Sequence, residues 1–174
     1  SSTPSPMVLA ARAVKRARPE ALVAFISPCL AKRREAAECG VVDLALASEE
    51  PGAWFLAANI EIAGLAERPF DDFDGKPRPR PADERARAFG AAGGVAAAVG
   101  ARLQALGKPA PICLTVNGLD KARIKELARW AQTPPEADLI EVMACEGGCV
   151  AGPYALANPK AAAFNLGKYA KEGG

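Results

Sequence analysis

Continuous apolar runs recur along the chain and are separated by stretches with helical character. Four such runs predict strands, at residues 21–27, 43–47, 112–116 and 138–143. Short runs without polar alternation are typical of strands covered on both faces. We therefore predict that the strands at residues 21–27 and 43–47 are buried.

Helix signals surround these strands. Residues 6–18 begin with a first-turn proline, Pro6, after the capping residue Ser5. They end in basic residues that suit a helix C-terminus. Further predicted helices span residues 31–38, a stretch from 49 capped by Ser48, about 95–106, a stretch through 130 capped by Asp120, and 159–171 capped by Asn158. Alternating strands and helices predict an α/β fold with mixed or parallel sheets flanked by helices, in a chain able to form two lobes.

A charged, proline-punctuated segment interrupts this pattern at residues 66–88. We predict a solvated crossing segment there, between a first lobe segment at 1–65 and a second at 89–174 of one domain fragment. Peptide recognition by its PRPRP sequence is the alternative.

Composition narrows the functional classes. The 174 residues are 50% hydrophobic and 24% charged, with a net charge of +2, which argues against nucleic acid or an anionic membrane as partner. No apolar run approaches the roughly 20 residues of a membrane-spanning helix. The start lacks a secretory signal layout and an initiator Met. We expect a cytoplasmic protein of which this chain is a fragment.

The cysteine and histidine counts point to metal chemistry. There is no histidine, which excludes histidine-based triads and Cys/His zinc sites, and there are five cysteines. In a cytosolic chain of this size, clustered cysteines indicate metal binding or redox activity before disulfides.

The clearest local motif is EVMACEGGC at residues 141–149. It places Cys145 and Cys149 around a Gly-Gly pair just after a predicted strand, where open α/β sheets bind ligands. The glycines allow close backbone approach, and backbone N–H groups in such a turn can point at cluster sulfides. Two buried cysteines at this spacing also arise by chance.

A second thiol, Cys29, ends another predicted strand in SPCLAK, at the start of a helix. The helix N-terminus and Lys32 both favour a thiolate, and Lys32 can donate to an anionic ligand. A structural cysteine beside a surface lysine is the alternative. The glycine turn FGAAGGV at residues 89–95 indicates tight helix packing rather than a nucleotide site, and Cys113 is expected in the core.

Together these segments resemble the large subunit of iron-only (FeFe) hydrogenases, including its sensory-type members. EVMACEGGC is similar to that family's EVMACPGGC, SPCLAKRRE to MPCxxKKxE, FGAAGGVAAAV to FGATGGVMEAA, and SSTPSP to SSxxSP. The motifs occur in the family's order over almost the whole chain.

The resemblance implies residue roles. Cys29, Cys145 and Cys149 would hold a [4Fe–4S] cluster, with Cys149 bridging to a di-iron subcluster that carries CO and cyanide. Lys32 would donate to one cyanide, Ser5 would lie near the other, and Met143 would pack against the di-iron site. Glu35, and less directly Ser1, would belong to the proton route.

The departures limit these implications. The family's paired-cysteine motif, which supplies the fourth ligand, is absent from this sequence, as is a ferredoxin-like cysteine array. An upstream cysteine-bearing segment would be needed, with ferredoxin or an NAD(P)-linked subunit as redox partner. We expect the fragment alone to be inactive and metal-free.

Two other functions stay open. A non-catalytic iron–sulfur sensor or assembly factor related to hydrogenases is favoured by alanines at 92, 96 and 97, while the Lys32 position favours a hydrogenase. A plain α/β interaction domain with incidental cysteines is the third.

Overall fold

A computed structural model describes residues 3–66 and 83–172. The helices in this part are α1 Pro6–Ala17, α2 Leu30–Cys39, α3 Glu49–Ala57, α4 Glu84–Arg87, α5 Gly94–Ala105, α6 Lys121–Trp130 and α7 Pro159–Lys171. The strands are β1 Ala24–Ile26, β2 Leu44–Leu46, β3 Cys113–Asn117 and β4 Leu139–Met143. Short 3-10 turns lie at Ile62–Gly64, Ala88–Gly90 and Cys149–Ala151. The predicted α/β class is confirmed.

The described residues divide into two compact units. The first contains residues 3–66 and Pro153–Leu156, and the second contains residues 83–152 and 157–172. The expected lobe boundaries at 65 and 89 stay a prediction, and most of the 66–88 segment, with PRPRP, lies outside the described residues, as does Ser1. No helix within the described ranges is long and apolar enough to cross a membrane.

Each unit contains a pair of parallel strands. In the first, β1 pairs with β2, from Ala24 opposite Leu44 to Ile26 opposite Leu46. In the second, β3 pairs with β4, and Asn117 lies opposite Met143. Because parallel neighbours require a crossover, α2 and α6 supply the two connections.

In both strand pairs, an aspartate just before the second strand accepts a hydrogen bond from a backbone amide just before the first strand. Asp43 Oδ2 accepts from the Val23 amide at 2.7 Å, and the Asp43 amide donates to the Val23 carbonyl at 2.9 Å. Asp138 Oδ2 accepts from the Ile112 amide at 2.8 Å, with the reverse backbone bond at 2.9 Å. Each carboxylate thereby satisfies a backbone donor beyond the ladder and fixes where pairing begins.

The core of the first unit lies between α1, α2 and one face of its sheet. The buried residues there are Met7, Val8, Ala11, Ala36 and Val42. The opposite sheet face is open, because Leu22 is 85% exposed and Ile26 56% exposed. The prediction that the first strand is covered on both faces is therefore wrong for this chain, as is the prediction of a fully buried second strand, since Leu44 is also exposed.

Three of the four predicted side-chain caps are confirmed. Ser5 accepts from the Val8 amide, Asp120 from the Arg123 amide at 2.7 Å, and Asn158 from the Lys160 amide at 3.0 Å. Ser48 was expected to cap α3 but makes no capping hydrogen bond. At that end of α3, Glu50 Oε2 instead accepts from the Ala47 amide at 2.6 Å.

Candidate functional site

The loop after β4 carries two of the predicted ligands. Cys145 follows Met143 by two residues, and the Cys145 carbonyl accepts from the Gly148 amide at 3.0 Å, which closes a tight turn. Cys149 then begins the 3-10 turn Cys149–Ala151. Cys145 is half-buried, Cys149 is exposed, and neither forms a disulfide. The sequence motif therefore folds into one compact loop, residues 144–149, which we call the two-cysteine loop.

The end of β3 holds this loop. Asn117 Oδ1 accepts from the Gly147 amide at 2.7 Å. The Gly118 amide donates to the Met143 carbonyl at 2.9 Å, and the Leu119 amide to the Ala144 carbonyl at 3.0 Å. The Gly147 and Gly148 amides thus have partners inside the protein, so donation to cluster sulfides stays a prediction for the other N–H groups of this turn.

Gly148 lies directly against the glycine turn of residues 89–95. A Cβ built on Gly148 would stand 2.5 Å from the Gly90 carbonyl oxygen and 2.6 Å from the Ala92 nitrogen. Its φ of 97° also favours glycine. The Ala92 amide reaches the Gly147 carbonyl at 3.4 Å. The predicted packing role of the glycine turn is thereby given a specific partner, the two-cysteine loop.

Glu141, inside β4, connects this strand to the start of α5. It is 8% exposed, and its Oε1 accepts from the Val95 amide in the first turn of α5 at 3.3 Å. The helix begins after Gly93, which has no side chain to cap it, so Glu141 supplies the carboxylate that helix N-termini favour. Its Oε2 is buried without a hydrogen-bond partner in the described structure.

The third predicted ligand, Cys29, lies in the first unit. It is half-buried and occupies the residue just before α2, where its side chain makes no capping hydrogen bond. The thiol therefore lies at the N-terminus of α2. The prediction that Cys29 stands between a strand and a helix is confirmed.

Lys32, Glu35 and Ser5 come together beside this helix. Lys32 and Glu35 form an ion pair one turn apart on α2, each side chain about one third exposed. The hydrogen bond from Lys32, and then one from Ser5, hold the pKa of Glu35 below its ordinary value of 4.5. Lys32 also borders an apolar cavity of about 460 Å³ whose walls include Met7, Val14 and Phe25.

A further contact steadies the Cys29 turn within the first unit. The Tyr154 amide donates to the Pro28 carbonyl at 3.1 Å, and the Arg33 guanidinium lies 5.8 Å from the centre of the Tyr154 ring. Tyr154 belongs to the short segment Pro153–Leu156 that packs with this unit. The residue before Cys29 is thus fixed by a backbone hydrogen bond.

The remaining cysteines have other surroundings. The Cys39 thiol donates to the Ala36 carbonyl at 3.3 Å at the edge of the core. Cys113 is exposed, so its predicted core placement is wrong. Each unit by itself holds at most two of the three expected ligands, and across residues 3–66 and 83–172 no group of three or more Cys, Asp or Glu side chains is placed to hold a metal ion.

A known protein family matches the part of the chain that contains the predicted site residues. The family described as iron only hydrogenase large subunit, C-terminal domain, matches residues 1–153. The chain belongs to this family. The match takes in Ser5, Cys29, Lys32, Glu35, Met143, Cys145 and Cys149.

Solved hydrogenase structures share the fold of this family member. One is an [FeFe]-hydrogenase HydA(deltaEFG) studied for stepwise H-cluster assembly, at 22% identity and a TM-score of 0.67. Another is a variant of [FeFe]-hydrogenase HydA1 from Chlamydomonas reinhardtii, at 21% identity and a TM-score of 0.67. Each match covers 98% of this chain and 59% of the other. No curated protein matched.

Two residues of this hydrogenase-family site escaped the sequence analysis. In the sequence, Asn117 belongs to an Asn-Gly pair after the predicted strand at 112–116, and Glu141 is the first residue of the EVMACEGGC motif. The signal for Asn117 was an amide side chain at the carboxyl end of a strand. The signal for Glu141 was a carboxylate inside an apolar strand, because a buried carboxylate needs a hydrogen-bond partner.

Proposed function

We propose that this chain provides the catalytic-cluster part of an iron-only hydrogenase, which interconverts molecular hydrogen with two protons and two electrons. The observation that carries the proposal is the family match over residues 1–153, which includes all three motif cysteines. The chain spans 59% of the solved hydrogenase chains it matches, so the activity is proposed for the longer protein.

The residues that would hold the cofactor are Cys29, Cys145 and Cys149. When bound, an iron–sulfur cluster with a di-iron subcluster would carry the two electrons and supply the metal that splits hydrogen. The donors fit iron, because thiolates are its usual ligands in such clusters, and none of these cysteines is in a disulfide. They are three donors, so a [4Fe–4S] cluster would take its fourth from a cysteine-bearing segment upstream.

The side chains beside Cys29 would handle charge and protons. Lys32 offers an ammonium donor for an anionic ligand, and Ser5 offers a hydroxyl nearby. Glu35 would carry protons at its carboxylate, and its lowered pKa favours the deprotonated form between transfers. Met143, half-buried at the end of β4, would provide apolar packing that keeps water away.

A second candidate function is a non-catalytic iron–sulfur sensor or assembly factor related to hydrogenases. Its support is that Lys32 is ion-paired with Glu35 on the same helix, so part of its donor capacity is already used. Alanines at 92, 96 and 97 also remove side-chain polarity from the glycine turn and α5. This function keeps the cysteine ligands and omits the di-iron chemistry.

The longer protein would exchange electrons with ferredoxin or an NAD(P)-linked subunit, and we propose the cytoplasm as its location. Neither nucleic acid nor a membrane is part of the proposal.

Infrared and electron paramagnetic resonance spectra separate the two functions. The full natural polypeptide that contains this chain would be purified without oxygen and matured with a complete di-iron precursor. The hydrogenase proposal predicts CO and cyanide stretching bands and hydrogen evolution from a reduced dye. Cluster resonance without those bands supports the sensor or assembly function. A protein that takes up no iron contradicts both.

A further inference from the structure

We propose that Asn117 is a positioning residue that holds the two-cysteine loop in its ligand-presenting form. The inference rests on the proposed function, because it assigns Asn117 to the same cysteine site. No part of the sequence motif around Cys145 and Cys149 contains Asn117, which lies 30 residues before its partner Gly147.

The hydrogen bond acts at the centre of the loop. Gly147 lies between the two cysteines, and its φ of 89° is a conformation that few residue types adopt. Its amide donates to Asn117 Oδ1 at 2.7 Å, a short and well-formed bond. Asn117, which lies outside the motif, therefore fixes the Glu146–Gly147 peptide group.

The strand register explains why residue 117 can do this. Asn117 ends β3 directly opposite Met143, the last residue of β4. The next two backbone amides, of Gly118 and Leu119, continue toward the Met143 and Ala144 carbonyls. The loop thus leaves β4 alongside the chain that leaves β3, and the Asn117 side chain extends this contact by three residues.

The opposite side of the loop is held by backbone packing. Gly148 sits against Gly90, Ala91 and Ala92, with no room for a side chain. Val150 and Leu166 are the side chains nearest to a Cβ built on Gly90, at 3.3 and 3.5 Å, which places α7 against the same turn. With Gly148 packed in this way, the Asn117 bond holds the preceding residue, Gly147, which is nearer in sequence to Cys145.

The hydrogen bond to Asn117 also sets the direction of the Gly147 N–H group. As long as Asn117 accepts from Gly147, that N–H is directed to the end of β3 rather than to a ligand of the cysteines. Removing the acceptor both loosens the loop and leaves this amide to water. We expect weaker iron retention as the consequence, since ligand geometry depends on such supporting hydrogen bonds.

The test compares Asn117→Ala, Asn117→Asp and a matched control, Asn165→Ala, which truncates an exposed asparagine on α7. In the metal-free protein, exchange of the Gly147 amide measured by NMR should be about fivefold to tenfold faster in Asn117→Ala, since a hydrogen bond of this kind contributes about 1 kcal/mol. Asn117→Asp keeps the acceptor oxygen and should stay near the wild-type rate, as should the control.

Iron retention supplies the second readout. In the iron-loaded full natural polypeptide, Asn117→Ala should lose iron to a chelator several-fold faster, and Asn117→Asp should restore retention. Unchanged Gly147 exchange overturns the hydrogen-bond assignment. Faster exchange with unchanged iron loss, or no rescue by Asn117→Asp, overturns the positioning role alone. A wild-type protein that binds no iron contradicts the proposed function, and the positioning role with it.

Discussion

At the residue scale, the buried carboxylate of Glu141 is the clearest test of how the second unit is held together. Glu141→Leu would leave the Val95 amide without its acceptor and α5 without a cap, so we expect the free energy of unfolding to fall by about 1–3 kcal/mol. Glu141→Gln keeps one acceptor oxygen and should cost less. Urea denaturation followed by circular dichroism measures both, and equal losses would argue against capping.

Glu35 gives a prediction about acid. Its folded-state pKa lies below the ordinary value of 4.5, because Lys32 and Ser5 stabilise the carboxylate. The stabilisation is therefore present above about pH 4.5 and lost as pH falls below it. Both partners are partly exposed, so the loss should be under about 1 kcal/mol.

Glu35→Gln isolates this contribution. The variant should be less stable than wild type at pH 7, and the difference should shrink by pH 3, as measured by urea midpoints at both values. A difference that stays constant with pH would show that Glu35 acts through packing instead. Glu38→Gln, on the exposed side of the same helix, is the control.

Sequence reasoning identified the cysteines and Lys32 at this scale because their chemistry is visible in the motif letters. It did not identify Asn117 or Glu141, because their partners lie 30 and 46 residues away. The pairing of β3 with β4 brings Gly147 to Asn117, and the packing of α5 against β4 brings Val95 to Glu141. Cys113 was misplaced for a related reason. An apolar neighbourhood in sequence does not determine which face of a strand is covered.

At the element scale, the contact between the two-cysteine loop and the glycine turn leads to a sharp expectation. Gly148→Ala places a methyl group 2.5 Å from the Gly90 carbonyl oxygen and requires alanine at a φ of 97°. The backbone atoms it meets cannot rotate away, so we expect a loss of about 2 kcal/mol or more.

Gly107→Ala is the matched control. It has a φ of 68° with nothing within 4 Å of a built Cβ, so it carries the conformational strain without the clash. Thermal unfolding should lower the midpoint more for Gly148→Ala than for Gly107→Ala. Equal shifts would mean that the loop and the turn are not in the close contact described.

Helix starts were predictable because a cap is a local signal. Ser5, Asp120 and Asn158 each bond to an amide two or three residues on. Ser48 does not cap α3, because the Glu50 amide donates to the Ala47 carbonyl at 3.2 Å and Pro51, three residues after Ser48, has no amide hydrogen. Strand burial was less predictable, since coverage of the outer face of β1 depends on what packs there and not on the strand's own letters.

At the scale of the whole molecule, the order of strands and helices was enough to predict the α/β class. The repeated pairing of two parallel strands across one helix confirms it. Asp43 and Asp138, just before β2 and β4, make the same hydrogen bonds in both strand pairs, although the two segments share little sequence. The division into units at these positions required the structure.

The family assignment makes the cysteines the centre of the account, and iron retention tests them most directly. In the iron-loaded full natural polypeptide, Cys29→Ser, Cys145→Ser and Cys149→Ser should each lose most of the bound iron, because serine is a poor ligand for these clusters. Cys39→Ser and Cys113→Ser, which alter cysteines outside the motifs, should retain iron near the wild-type level. Equal loss in all five variants, or full retention in the first three, would contradict the assignment of Cys29, Cys145 and Cys149 as the ligands.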